Sequence, residues 1–278
     1  MAEKSQPRNA VGFTLVKTLH EPDGALMSNP LWRSPRTRMW IMVVLALGVN
    51  TTAWITAAET PHGTTPYTKG KKTRDGLGVY YFGREIAHYM THLAAPWLER
   101  PERDTEERPD LVLKALALKP GDIVADLGCG TGYFSWRMAQ AVGPRGVVYG
   151  VDIQSEMIEL LAEKMKERGV SNVKGVVSTV DDPKLPQAVD LAIMIDVYHE
   201  CSQPAEFIAA VCRSLKPGGR VVFIEYRGED STVPIKALHK MTESQVKLEM
   251  TAQPLDYVET FRGLPRQHMI IFRKRAAQ

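Results

Sequence analysis

The feature that most constrains this chain is a buried apolar strand that runs directly into a glycine-rich turn and then a helix. Residues Val124 to Leu127 form the strand, and Gly128, Gly130 and Gly132 stand at alternate positions of the turn. Glycine has no Cβ atom and tolerates positive φ angles, so a ligand can approach the backbone there. The pattern predicts a ligand-binding strand–turn–helix unit, with an ordinary connecting turn as the alternative.

The spacing of these glycines, with Asp126 two residues before the first, indicates which ligand binds. A dinucleotide fingerprint is G-x-G-x-x-G, and the helix N-terminus behind it receives a pyrophosphate, which a fixed carboxylate would repel. The G-x-G-x-G pattern behind an acidic residue resembles the class I S-adenosylmethionine (SAM)-dependent methyltransferases. That resemblance implies that the turn passes under the amino-acid part of SAM and that Asp126 acts on its ammonium group.

A second strand and helix follow at regular spacing. The strand Val147 to Asp152 ends in a carboxylate 24 residues beyond Gly128, and Ser155 is predicted to cap the next helix. A carboxylate at this strand end can accept both ribose hydroxyls, so we assign Asp152 and the adjacent Ile153 to the cofactor. A plain helix-capping role for Asp152 is the alternative.

The next two strands carry the remaining cofactor residues. After the strand at 173–178 the resemblance implies an acidic side chain at the adenine amine, which points to Asp181 or Asp182, although an Asp-Asp-Pro surface turn explains the same residues. The strand at 189–195 ends at Asp196, also assigned to the cofactor. We therefore predict an α/β fold: a doubly wound, Rossmann-like, seven-stranded, mostly parallel sheet with helices on both faces and an N-terminal helical lid.

The loop after the fourth strand is predicted to hold the chemistry, because ligands lie at the carboxyl ends of parallel strands. His199, with an ordinary pKa of about 6.5, suits a general base, and Glu200 accompanies it as a catalytic residue. Tyr198, His239 and Arg84 are assigned to the substrate. His199, Glu200, His239 and His268 are residue types that bind divalent metals, but their irregular spacing matches no ligand motif, so no metal site is predicted.

The charge and the cysteine content of the chain limit which partners and metal sites it can have. The chain has 278 residues and a net charge of +3, and residues 1–58 carry six Lys/Arg against three Asp/Glu, so the rest has no net charge. A neutral domain without a basic stripe argues against nucleic acid as a partner. Three cysteines without a C-x-x-C spacing indicate neither a disulfide framework nor a zinc knuckle.

The N-terminal part is predicted to direct the protein to a membrane. Three arginines precede an apolar run over residues 39–58, and small residues follow before Glu59. This pattern is typical of a signal peptide, with an uncleaved anchor or a buried helix of a cytoplasmic protein as alternatives. We expect an exported, periplasmic or membrane-anchored protein in which residues 1–58 form an extension, with either Met1 or Met27 as the start.

The remaining boundaries follow from patterning. Residues 59–82 lack a period and are predicted to be a linker. Ile86, Met90 and Leu93 recur at helical spacing, so residues 83–104 are predicted to form a helical lid, with a charged linker between helices as the alternative. Residues 105–278 are the predicted methyltransferase domain.

The predicted function is methyl transfer from SAM to an oxygen or nitrogen of a small-molecule acceptor. The chain lacks the Asn/Asp-Pro-Pro-aromatic motif of amino-directed DNA methyltransferases and the Pro-Cys nucleophile of pyrimidine C5 methylation. Two alternatives stay open at this point: a tethered or exported SAM-binding protein without catalysis, and a nicotinamide-dependent oxidoreductase.

Overall fold

A computed structural model describes residues 66–276. The predicted extension at 1–58, its apolar run at 39–58 and the first residues of the predicted linker lie outside the described residues. Between residues 66 and 276, no helix has the length and the apolar character needed to cross a bilayer.

A small antiparallel sheet begins the described part of the chain. It consists of β1 (Tyr67–Lys69), β2 (Gly76–Tyr81) and β3 (Arg84–Ala87) in that order. Phe82 and Gly83 connect β2 to β3 with φ angles of 48° and 84°. Two central residues with positive φ are what a tight type I′ hairpin turn requires.

This hairpin corrects two predictions made from the sequence. The helix expected from Gly83 is wrong, because β3 lies there, and part of the expected linker is strand. The helical spacing of Ile86, Met90 and Leu93 was misleading, since the three residues belong to three different local structures. Ile86 is fully buried in β3, whereas the Leu93 side chain is 81% exposed in a short 3-10 turn, His92–Ala94.

Seven strands form the central sheet, in the spatial order β6-β5-β4-β7-β8-β10-β9. All neighbouring pairs are parallel except those that involve β10, which runs antiparallel to both β8 and β9. The strand order reverses between β4 and β7, and a ligand crevice is expected at such a point. The strands are β4 (Ile123–Leu127), β5 (Val147–Asp152), β6 (Val173–Val177), β7 (Val189–Ile195), β8 (Leu215–Tyr226), β9 (Leu255–Phe261) and β10 (Gln267–Lys274).

Seven helices accompany the strands in the described residues. Apolar side chains of α3 and α4 pack with Val124, Val148 and Ile193 on one face of the sheet, and those of α6 and α7 pack with Ala125, Tyr149 and other residues on the opposite face. Helices on both faces confirm the predicted doubly wound fold. The helices are α1 (Ala95–Leu98), α2 (Arg103–Glu107), α3 (Pro109–Leu116), α4 (Ser135–Val142), α5 (Ser155–Glu167), α6 (Pro204–Ser214) and α7 (Glu243–Met250).

Candidate active site

A cavity of about 620 Å³ opens at the carboxyl ends of β4, β5 and β7, on both sides of the point where strand order reverses. One end is lined by the glycine turn and by the residues that follow β5. The other end is lined by the loop after β7 and by residues 234–239. We call these the cofactor end and the acceptor end.

The glycine turn forms the floor of the cofactor end. Gly128 and Gly130 line the cavity with φ angles of 72° and 52°. A Cβ atom at Gly128 would overlap the side chain of Val197, and one at Gly130 would lie 2.6 Å from Leu98 Cδ1. Gly132 has a different role, because its added Cβ would overlap Leu161 of α5 and the residue does not line the cavity.

Asp152 lies at the end of β5, buried but on the cavity wall beside the half-exposed Ile153. Its Oδ2 accepts a hydrogen bond from the Gly130 amide at 3.0 Å, and its Oδ1 accepts one from the Gln154 amide at 3.0 Å. Burial raises the pKa of this carboxyl above its ordinary value, against these amide bonds. The second bond also means that Asp152 helps to begin α5, whose N-cap is Gln154 and not Ser155 as predicted.

Asp126 lies one strand away on the same wall and is 3% exposed. Ser135 Oγ donates a hydrogen bond to its Oδ2 at 2.5 Å. Burial raises the pKa of Asp126 to about 6, although Ser135 and the charge of Arg103 oppose the increase. A buried carboxylate on a cavity wall favours a cationic ligand group.

Asp196 follows β7, lines the cavity and combines two unusual features. It is not a glycine, yet its φ is 53°, and its Oδ1 is buried without a hydrogen-bond partner in the described residues. Its Oδ2 accepts a hydrogen bond from Gln267 Nε2 at 2.5 Å. Burial, together with the charges of Glu107 and Glu225, raises the pKa of Asp196 well above its ordinary value. Backbone strain and an unsatisfied polar atom are typical of a functional position.

The loop after β6 contacts the cavity through residues that the sequence did not indicate. Ser178, Thr179 and Val180 line the wall. Asp181 instead accepts a hydrogen bond from Thr179 Oγ1, and Asp182 accepts one from the Lys184 amide. The two predicted aspartates therefore form the surface turn that was their alternative, and they are not part of the cavity wall.

A segment before the glycine motif covers the cofactor end, as predicted, although much of it is not helical. Tyr89, Met90, Trp97, Leu98 and Arg103 line the cavity from this side. The cover is fixed across the cavity by hydrogen bonds. The His92 amide donates to Gln154 Oε1 at 2.8 Å, and Thr131 Oγ1 donates to Glu99 Oε1 at 2.6 Å. Arg103 lies within the predicted lid at 83–104 but was not named as a site residue from the sequence.

His199 lies at the acceptor end in a 3-10 turn, Tyr198–Glu200, and is 2% exposed. Its Nδ1 is 2.6 Å from Glu225 Oε2, and its Nε2 is 3.2 Å from Nδ1 of His239. Burial by itself would lower the pKa of His199, but the charge and hydrogen bond of Glu225 raise it above its ordinary value. The carboxylate that orients His199 is therefore Glu225, not its sequence neighbour Glu200, whose Oε1 is 3.8 Å from Nε2.

Two predicted substrate residues lie behind the cavity wall. Tyr198 is fully buried and packs against Phe223, with ring centroids 4.8 Å apart. Arg84 forms two hydrogen bonds to Glu249, at 2.7 and 3.0 Å, and donates one at 3.1 Å to the His199 carbonyl. Neither side chain lines the cavity, so their assignment to the substrate is wrong, and Arg84 instead fixes the backbone that carries His199.

The cofactor end has the features that SAM requires. The two glycines remove Cβ atoms where a ligand meets the backbone. Asp152 offers acceptors for ribose hydroxyls, and Asp126 offers a carboxylate for a ligand that carries an ammonium. Asp196 lines the same cavity, but its raised pKa favours the neutral acid. The residues present therefore fit the predicted cofactor.

Comparisons with known proteins agree with this geometry. A family model described as a methyltransferase domain matches residues 118–264. The ubiquinone/menaquinone biosynthesis C-methyltransferase UbiE of Francisella philomiragia is 34% identical over 111 residues, which are 39% of this chain and 44% of that protein. An uncharacterized 37.1 kDa protein in transposon Tn4556 of Streptomyces fradiae is 33% identical over 124 residues, which are 44% of this chain and 35% of that protein. The chain spans less than half the length of these two relatives.

A solved structure extends the match to two thirds of this chain. The crystal structure of a SAM dependent methyltransferase from Aquifex aeolicus is 25% identical and superposes with a TM-score of 0.62, over 66% of this chain and 99% of that one. The chain thus shares the fold of a SAM dependent methyltransferase. The chain belongs to the methyltransferase-domain family of SAM-dependent enzymes, and SAM is its cofactor.

Proposed function

We propose that the protein transfers the methyl group of SAM to an oxygen or nitrogen of a small-molecule acceptor bound at the acceptor end of the cavity. The observation that carries this proposal is the pair His199 and Glu225. A buried carboxylate 2.6 Å from Nδ1 orients the ring, and Nε2 lies 3.2 Å from Nδ1 of His239, which also lines the cavity. A histidine oriented by a carboxylate is an arrangement that serves general bases in many enzymes.

The cofactor end holds SAM through groups with separate tasks. Asp152 accepts the ribose hydroxyls, and the glycine turn lets the amino-acid part approach the backbone. Asp126 faces the ammonium, and Asp196 lines the cavity beside the bound cofactor. The cover segment excludes water from this end, which strengthens each of these polar contacts.

In the reaction, the acceptor O–H or N–H passes its proton to Nε2 of His199. The lone pair on that oxygen or nitrogen forms the new bond to the methyl carbon, while the electrons of the S–CH3 bond return to sulfur and leave a neutral thioether. SAM supplies an already activated methyl group, so alignment and proton removal are the main tasks of the protein.

A second candidate reaction is methylation at carbon. The relatives named UbiE are C-methyltransferases, and the one from Francisella philomiragia matches the chain over 111 residues. An ionised phenol or enol can be methylated at oxygen or at carbon, and both products require the same proton removal. The position of the acceptor atom relative to the sulfonium then decides which product forms.

The expected location of the protein is also a proposal. The arginines followed by the apolar run at 39–58 support export or anchoring, with a cytoplasmic protein as the alternative. N-terminal sequencing and cell fractionation test it. A mature N-terminus near Glu59, or a full chain in the membrane fraction, is expected, whereas an intact Met1 in the soluble cytoplasmic fraction contradicts the proposal.

The reaction is tested by incubating the purified protein with SAM carrying an isotopically labelled methyl group and a small-molecule extract. Mass spectrometry should find an acceptor that gains one labelled methyl group, and fragmentation should place it on oxygen, nitrogen or carbon. Label on carbon selects the second candidate. Label that enters no small molecule contradicts both.

A further inference from the structure

Three side chains with metal-binding atoms converge at the acceptor end of the cavity. His199 Nε2 is 3.2 Å from His239 Nδ1 and 3.8 Å from Glu200 Oε1, and the last two atoms are 3.4 Å apart. His199 and Glu200 come from the turn after β7, and His239 comes from a 3-10 turn, Ala237–His239, roughly 40 residues later. The fold therefore assembles what the sequence spacing did not reveal.

We propose that His199, Glu200 and His239 bind a divalent first-row transition cation, such as Zn²⁺. Two imidazole nitrogens and one carboxylate oxygen are a donor set that such cations prefer. All three ligand atoms lie within 4.8 Å of one another. We call these residues the His₂Glu cluster.

The spacing of the cluster matches tetrahedral coordination. Ligand bonds of about 2.0–2.2 Å at tetrahedral angles hold ligand atoms roughly 3.3–3.5 Å apart. The observed separations of 3.2, 3.4 and 3.8 Å lie close to that value. A cation can therefore reach all three atoms with shifts of a few tenths of an ångström.

The surroundings of the cluster also suit a cation. Glu225 accepts from Nδ1 of His199, and such a carboxylate behind a histidine ligand orients the ring and strengthens its other nitrogen as a donor. Glu200 and Glu225 together supply negative charge for a dication. The positive charge of the nearby Arg84 is neutralised by its two hydrogen bonds to Glu249.

One coordination position remains for a ligand from the cavity. All three cluster residues line the cavity, so a cation on them faces the acceptor. Three protein ligands with an open position are typical of catalytic rather than structural zinc sites. The ligand class implied is an acceptor with a hydroxyl or carboxylate oxygen.

This inference changes one detail of the proposed reaction and leaves the methyl transfer as it is. In the protein without the cation, His199 takes the proton. With the cation bound, His199 is a ligand, and a coordinated acceptor hydroxyl ionises on the cation and releases its proton to solvent. Cation binding itself does not depend on the identity of the reaction.

The test is a calorimetric titration of the full chain with Zn²⁺ after removal of metals by a chelator, followed by a titration with Co²⁺ read by visible absorption. The wild type should bind one ion and give the intense absorption bands of tetrahedral Co²⁺. His239→Ala should lose both signals, and Glu225→Gln should weaken Zn²⁺ binding by roughly 10–100-fold, the effect of removing a partner of a ligand. The exposed His88→Ala is the matched control and should bind like the wild type.

Two outcomes overturn the metal site: a wild type that binds neither ion, or a His239→Ala variant that binds Zn²⁺ as tightly as the wild type. Circular dichroism and SAM binding of each variant show whether it is folded. Methyl transfer that persists after chelation, in a protein that does not bind Zn²⁺, contradicts the metal site and retains the proposed function. Stoichiometric Zn²⁺ binding without methyl transfer to any acceptor supports the metal site and contradicts the proposed function.

Discussion

The two ends of the cavity are built in different ways. The cofactor end is built around the main chain of consecutive residues, the turn that follows β4, to which the neighbouring strand adds Asp152 and the preceding segment adds a cover of side chains. The acceptor end is made of side chains from distant parts of the chain, namely His199, Glu225 and His239. The difference teaches that the first end is sensitive both to added atoms and to the loss of its carboxylate, whereas the second is sensitive to lost functional groups.

The largest expected effect belongs to the acceptor end. His199→Ala removes the proton acceptor of the proposed reaction, and it equally removes a ligand of the His₂Glu cluster. Turnover should fall by roughly a hundredfold or more, the usual contribution of general acid–base catalysis. Steady-state methyl transfer measures the effect, with the exposed His88→Ala as the control. A variant that retains most of its turnover would show that the chemistry lies elsewhere.

Substitutions at the cofactor end should weaken SAM binding instead of slowing the reaction. Asp152→Ala removes two acceptor atoms from the cavity wall and should weaken SAM binding by about 1.5–3 kcal/mol, the range for hydrogen bonds to a charged group. Calorimetry measures this change. Asp181→Ala is the matched control, because that carboxylate lies on the surface turn and its loss should leave affinity unchanged. Equal losses in both variants would mean that the adenine prediction for Asp181 was right and that the cavity assignment is not.

The contrast between the ends also explains what the sequence could predict. Gly128, Asp126 and Asp152 follow from local patterns, because a strand that enters a glycine turn fixes the geometry of its own neighbours. The pairing of Glu225 with His199 does not follow from a local pattern. It depends on β8 lying beside β7 in a register that pairs Ile195 with Ile224. The β2–β3 hairpin was missed because a two-residue turn with positive φ outweighed an apparent helical period.

The same reasoning explains the errors at Tyr198 and Arg84. Both stand next to functional residues in sequence or in space, yet the 3-10 turn at 198–200 directs Tyr198 into the core. The sequence indicated polar residues at the right edge of the sheet, but not which of them faced the cavity. That choice is made by the turn and by packing against Phe223.

Two glycine substitutions with smaller expected effects distinguish steric overlap from backbone strain at the cofactor end. Gly128→Ala adds a Cβ both at a positive φ and against Val197, whereas Gly143→Ala adds one at a φ of 68° with no atom within 4 Å. Both variants should lose about 1 kcal/mol of unfolding free energy or more from the strained backbone. Only Gly128→Ala should also weaken SAM binding, by roughly tenfold. Thermal unfolding measures the loss of stability from backbone strain, and calorimetry measures the loss of SAM affinity.

An effect of similar size on affinity is a pH dependence of SAM binding. Burial raises the pKa of Asp126 to about 6, so below that pH the carboxyl is neutral and cannot attract the ammonium of SAM. The ionised form binds more tightly, so affinity should rise about tenfold between roughly pH 5 and pH 7. Asp126→Asn should bind more weakly at pH 7 and show a flatter profile. If the pH profile of SAM binding is unchanged in this variant, another group titrates. Asp152, the other buried carboxyl assigned to SAM, is then the next candidate.

The central claim is that one cavity holds SAM at one end and performs the chemistry at the other. Its most direct test is a calorimetric titration of SAM into the wild type, Asp152→Ala, His199→Ala and the double variant. Affinity should fall by roughly 10–150-fold in Asp152→Ala, stay unchanged in His199→Ala, and in the double variant equal that of Asp152→Ala. A loss in His199→Ala as large as in Asp152→Ala would contradict the division of the cavity into two ends.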